Sequence, residues 1–160
     1  MNEGFDEGTA DQEEGPEIVG RNNKINMTII NANARSLTPK IDSLLDCMEE
    51  YGPCVAVVTE TWMRDSELEM NLSDLSLGAG VGILSKNRDP LTSNGVSYGG
   101  VAILWNENLG SFKKLDIGGG GQYEVIVGVG SLKNLSRRLV VVSCYLPPGM
   151  DREKGKACLE

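Results

Sequence analysis

The sequence predicts an α/β (α+β) chain that opens with a βαβ unit and continues as mostly antiparallel strands. Two features predict this. An apolar run, an amphipathic helix and a second apolar run follow one another within residues 25–59, each bounded by clear stop signals. Beyond them, five short segments rich in β-branched residues alternate with polar or glycine-rich connections, the pattern of hairpins.

The first strand is expected over residues 25–32 (INMTIINA), where β-branched side chains favour a pleated, buried segment. A helix follows. Thr38 suits its N-cap, and Pro39 suits the first helical position, where a missing N–H costs nothing. Ile41, Leu44, Leu45 and Met48 recur at the spacing of one helical face. Gly52 and Pro53 then stop the helix, glycine by accepting a left-handed cap and proline by being unable to continue. Residues 54–59 (CVAVVT) form the second strand, parallel to the first through a right-handed crossover. Further strands are expected over 82–86, 98–105, 112–117, 123–129 and 139–145. Residues 118–121 are four glycines with no Lys-Ser/Thr and no helix after them, so they read as a turn, not a phosphate loop.

Charge is distributed unevenly. Residues 1–17 hold seven acids and no base, leaving sixteen acids against fifteen bases in the rest, a net of −1. Such a segment repels itself and buries little, so residues 1–24 are expected to be a disordered acidic tail or an acidic interaction arm. Residues 25–150 are expected to form the ordered part, and 151–160 the truncated start of a helix. With no histidine and no C-x-x-C pair among four cysteines, the composition argues against a zinc site. Cys47, Cys54 and Cys144 read as reduced core residues of an intracellular protein, nuclear or cytoplasmic. No basic-apolar leader opens the chain, and no apolar run approaches the roughly 20 residues that span a bilayer.

Two polar residues stand at the ends of apolar strands: Asn33 after the first and Glu60 after the second. Parallel neighbours deliver both to the carboxyl edge of one sheet, where open α/β sheets bind ligands. A carboxylate there can hold a hard divalent cation, and an amide can orient a phosphate or a metal-bound water. Read without function, Glu60 is a strand-end acid paired with a base and Asn33 a turn residue bonded to its own backbone. Tyr145 ends the last strand. Its plain reading is an amphipathic ring with its hydroxyl in water.

Four segments, INANARSL (30–37), VVTETWM (57–63), GGVAILW (99–105) and VVVSCYLPPG (140–149), occur in an order that resembles the first blocks of the endonuclease/exonuclease/phosphatase superfamily. The nearest likeness is to the apurinic-type endonuclease domain that opens non-LTR retrotransposon polyproteins. It covers roughly residues 25–150. The resemblance implies the amino-terminal part of a DNase I-like β-sandwich. It further implies that Asn33 arranges the metal and phosphate site, that Glu60 binds Mg²⁺, and that Tyr145 helps hold the scissile phosphate. Some relatives place an acid two residues beyond the asparagine; here Arg35 stands there, and its guanidinium could hold a phosphate or neutralise Glu60.

The family's later blocks, an Asp-x-Asn pair and a terminal Asp with His, do not occur within these residues. General-base assistance is worth roughly 10²–10⁴ in rate, so the expectation is a truncated Mg²⁺-dependent DNA-nicking endonuclease, with weak metal binding and no activity alone. DNA is a partner by resemblance only, since the ordered part has no basic stripe. A missing carboxyl-terminal half or a downstream polymerase domain is its further expected partner. Two alternatives stand beside this reading. One is a non-catalytic interaction module using the acidic tail and open sheet edges. The other is a phosphatase-type member of the superfamily, acting on inositol or sphingolipid phosphates.

Overall fold

A computed structural model describes residues 26–63, 80–87, 99–117, 123–133 and 136–146. The acidic tail, the four-glycine turn and the expected terminal helix lie outside the described residues. In chain order the elements are β1 (Thr28–Asn33), a 3-10 turn (Thr38–Lys40), α1 (Ile41–Glu50), β2 (Cys54–Thr59), β3 (Val81–Lys86), β4 (Val101–Asn106), β5 (Gly110–Leu115), β6 (Glu124–Leu132) and β7 (Arg138–Tyr145). They form a four-stranded sheet, ordered β1-β2-β4-β3, and a three-stranded sheet, ordered β5-β6-β7. The expected α/β class and opening βαβ unit are both present, with β1 and β2 parallel and adjacent. All other pairings are antiparallel.

The helix starts later than its sequence suggested. Thr38 makes no cap: it lies in the 3-10 turn, and α1 begins after Lys40 without a side-chain cap. The cause is upstream. Leu37 is buried, and its N–H donates to Thr61 O at 2.8 Å, while Lys40 N–H donates back to Leu37 O at 2.8 Å. The chain is thus pinned to the β2 exit and tightened into one 3-10 turn before α-helical spacing can begin. The stop signal works as expected, with Gly52 at φ +73° and its N–H on Glu49 O.

Two apolar layers result. Met48 of α1, with Ile41, Leu44 and Leu45 around it, packs on Ala56, Val58 and Leu104. On the other side of the same sheet, Val55, Val101, Ile103 and Trp105 meet Phe112 and Ile126 of the second sheet. Strand β4 is therefore buried on both faces, which explains its unbroken apolar run VAILW. Cys47 was expected in the core and is exposed; it lies one residue off the 41/44/45/48 stripe. Cys54 is buried, and Cys144 is half-buried. Burial pushes the Cys54 thiol up from its ordinary range.

The strand boundaries also differ in detail. Gly99 and Gly100 precede β4 instead of opening it, and β5 starts at Gly110 and ends at Leu115 rather than running to residue 117. Glycine is also needed at two cross-strand positions, one within each sheet. A Cβ at Gly82 would overlap the Trp105 indole, and one at Gly130 the Phe112 ring. These two rings lie 5.1 Å apart at 44°.

Candidate functional site

The parallel register of β1 and β2 sets Asn33 opposite Thr59, so both chains leave the sheet side by side. The exits stay paired beyond the strands: Ala34 N–H donates to Thr59 O at 2.9 Å and Ser36 N–H to Glu60 O at 3.0 Å. On this rim Asn33 Nδ2 donates to Glu60 Oε1 at 2.9 Å. An ionised carboxylate only accepts, which fixes the amide nitrogen on the Glu60 side. The two residues predicted to lie together from opposite ends of a crossover are thus in direct contact, 27 residues apart in the chain.

The backbone around them is strained. Among the described residues, the non-glycine positions with left-handed φ are Arg35 (44°), Ser36 (81°), Glu60 (54°) and Trp62 (52°), all on these two exits. Such conformations cost of order 1–3 kcal/mol each and persist only where neighbours hold them. Here Lys40 Nζ donates to the carbonyls of Ala34 and Arg35, stapling the β1 exit. Thr61 N–H donates to Gly100 O and Trp62 N–H to Gly99 O, tying the β2 exit to the entry of β4.

Tyr145 belongs to the other sheet, and three contacts show which end it occupies. Phe112 lies against Trp105, at the end of β4 remote from Asn33. Gly128 sits midway, where an added Cβ would be 3.2 Å from Ile103 Cδ1. Ser143 Oγ donates to Val58 O at 3.2 Å, two residues before Glu60. Position along β5–β7 therefore tracks position along β2–β4, and the carboxyl end of β7 lies at the same end of the sandwich as Asn33 and Glu60. Tyr145 packs against the inter-sheet core.

Sequence reasoning missed Glu124. It opens β6 directly opposite Tyr145 and is only 4 % exposed. Its period-two position relative to Ile126, an inward core residue, was the available signal. Arg35 is exposed, just past Asn33 on the same exit.

This rim supplies one carboxylate, one amide and a nearby guanidinium-bearing residue. Among the described residues no group of three His, Cys, Asp or Glu could enclose a metal ion. Magnesium, however, often uses only one or two carboxylates and completes its shell with water and phosphate. The donor set fits that half-shell. No described helix is long and apolar enough to cross a membrane.

A family model described as the Endonuclease/Exonuclease/phosphatase family matches residues 15–157. Comparison with curated proteins and with solved structures gives no match.

Proposed function

This chain belongs to the endonuclease/exonuclease/phosphatase family, and we propose that its Asn33–Glu60 rim is the cation-binding half of a phosphodiesterase site. The observation that carries the reading is the 2.9 Å contact between an amide and an acid at the shared carboxyl edge of two parallel strands. Glu60 holds Mg²⁺ through its carboxylate, and Asn33 keeps that carboxylate oriented. A bound divalent ion supplies charge stabilisation to a phosphoryl group. Tyr145 contributes a phenol hydroxyl from the facing sheet to the phosphate.

The order of the four sequence blocks favours the retrotransposon-type branch, with DNA as the substrate nicked. Because these 160 residues encode no histidine, we expect phosphodiester hydrolysis by this chain alone to stay at background. Titration calorimetry with Mn²⁺ tests the cation site: heat is expected for the wild type and none for Glu60→Ala. Equal heats would refute the assignment. Metal-dependent plasmid nicking that disappears in Asn33→Ala would refute the expected inactivity.

A second reading has its own observation. Strands β1 and β7 are sheet edges carrying exposed Ile29, Val140 and Val142. Apolar edge strands are ready contact surfaces, so an interaction module is the alternative. It requires binding to survive Glu60→Ala.

A further inference from the structure

We propose that Thr61 and Gly100 are positioning residues: a buried peg and the slot that receives it, which together aim the Glu60 carboxylate. The proposal deepens the cation-site reading and rests on it for its functional meaning, although the aim of the carboxylate can be measured separately.

Thr61 lies between two left-handed residues, Glu60 and Trp62. Its side chain is fully buried, whereas its neighbours on either side are half-exposed. The backbone of Thr61 is held from two directions. Its N–H donates to Gly100 O at 3.2 Å, and its carbonyl accepts from Leu37 N–H at 2.8 Å. With residue 61 fixed at both backbone groups and by burial, residue 60 has little freedom left. Its left-handed φ is the conformation that closes the chain between Thr59, still in the strand, and the pinned Thr61.

The slot is made by a missing side chain. Gly100 has φ +84°, and a Cβ placed on it would overlap Thr61 Oγ1 while lying 3.5 Å from Lys86 O. Thr61 Oγ1 is buried and makes no hydrogen bond among the described residues. Its place is set by packing, so any atom added at position 100 displaces it. Displacing the peg moves the Glu60 backbone through the peptide bond that joins them, and the carboxylate leaves Asn33. A buried side chain wedged between two left-handed residues, next to the acid of the rim, is the pattern of an orientation device.

The test reads the Asn33–Glu60 contact directly. Nuclear magnetic resonance follows the Asn33 side-chain amide at one fixed pH, and the contact is read as its shift difference from the same protein carrying Glu60→Ala. We expect a clear difference in the wild type, reduced about threefold or more in Gly100→Ala. In the double variant Thr61→Ala/Gly100→Ala, part of it should return, because the new methyl fills the space the hydroxyl left while the backbone strain at φ +84° stays; coupling of this kind is the mark of residues in contact. Thr61→Ser, which keeps Oγ1, should retain the difference, and Thr61→Ala alone should weaken it. Thermal unfolding of each sample checks that it is folded.

An unchanged shift difference in Gly100→Ala, or a double variant worse than both single variants, overturns the proposal. Should Gly100→Ala fail to fold, the serine and alanine variants of Thr61 decide: an equal difference in both overturns it. Mn²⁺ titration of the same samples separates the two claims. Loss of the amide shift difference in Gly100→Ala, with no Mn²⁺ binding in the wild type, would leave the peg and slot standing and remove the cation reading.

Discussion

Replacing Glu60 by glycine should give a more stable protein than replacing it by alanine, and both should lose the cation. Both substitutions delete the carboxylate and its bond from Asn33 Nδ2, so that loss cancels in the comparison. What remains is the backbone. At φ +54° an L-residue with a Cβ bears about 1–2 kcal/mol that glycine does not. Glycine in turn gives the unfolded chain more freedom, worth about 0.4–1 kcal/mol against it. With both terms at mid-range the difference favours glycine by about 0.8 kcal/mol. With a urea m-value of about 2 kcal/mol/M for a chain of this size, the midpoint should lie roughly 0.3–0.5 M higher for glycine. Trp62 and Trp105 provide the fluorescence signal. Alanine at least as stable as glycine would show that residue 60 is not held in a left-handed conformation, and the strained-rim argument would fail with it.

Three further outcomes follow from the packing. Cys47 should react with a disulfide reagent at once, and Cys54 only on unfolding, since Cys47 is exposed and Cys54 is buried with its Sγ donating to Met48 O at 3.7 Å. Because folding raises the Cys54 pKa, its contribution to stability is present below the ordinary thiol range and is lost as pH rises through the raised value. The alkaline decline in unfolding midpoint should therefore be shallower in Cys54→Ala. Gly130→Ala should cost about 1–3 kcal/mol by forcing a methyl into the Phe112 ring, and Phe112→Leu in that background should recover part of it. Chemical unfolding that finds no loss would contradict the packing.

The opening βαβ unit was legible because its signals are local. The 41/44/45/48 stripe faces the sheet, Gly52 caps the helix, and the parallel register carries Asn33 and Glu60 to one edge. The same stripe should have excluded Cys47 from the core, since position 47 falls beside it. The insertion of β4 between β2 and β3 could not be read, because it depends on pairings such as Val57 with Ile103 across 46 residues, which no local pattern encodes. The helix start was misplaced for a related reason: Leu37 answers to Thr61, and that bond outweighs the propensities of Thr38 and Pro39. Glu124 was passed over because a lone acid at a strand start resembles a boundary. Only its partner in register, Tyr145, makes it notable.

The insertion of β4 is also what makes the rim possible. Four left-handed non-glycine residues sit on the two exits, and at about 1 kcal/mol or more apiece they consume a large share of the 5–15 kcal/mol by which a domain is stable. The β1–β2 pair cannot hold the exit of β2 unaided. Two of the bonds restraining it, from Thr61 and Trp62, end on Gly100 and Gly99, immediately before β4. Asn33 and Glu60 are therefore adjacent by virtue of the local crossover, but the conformation that turns Glu60 toward Asn33 depends on a non-local pairing. In a peptide ending at residue 63, the bonds to Gly99 and Gly100 would be gone and only those from Ser36 and Leu37 would remain on this exit, so the two side chains should share an edge while their hydrogen bond weakens.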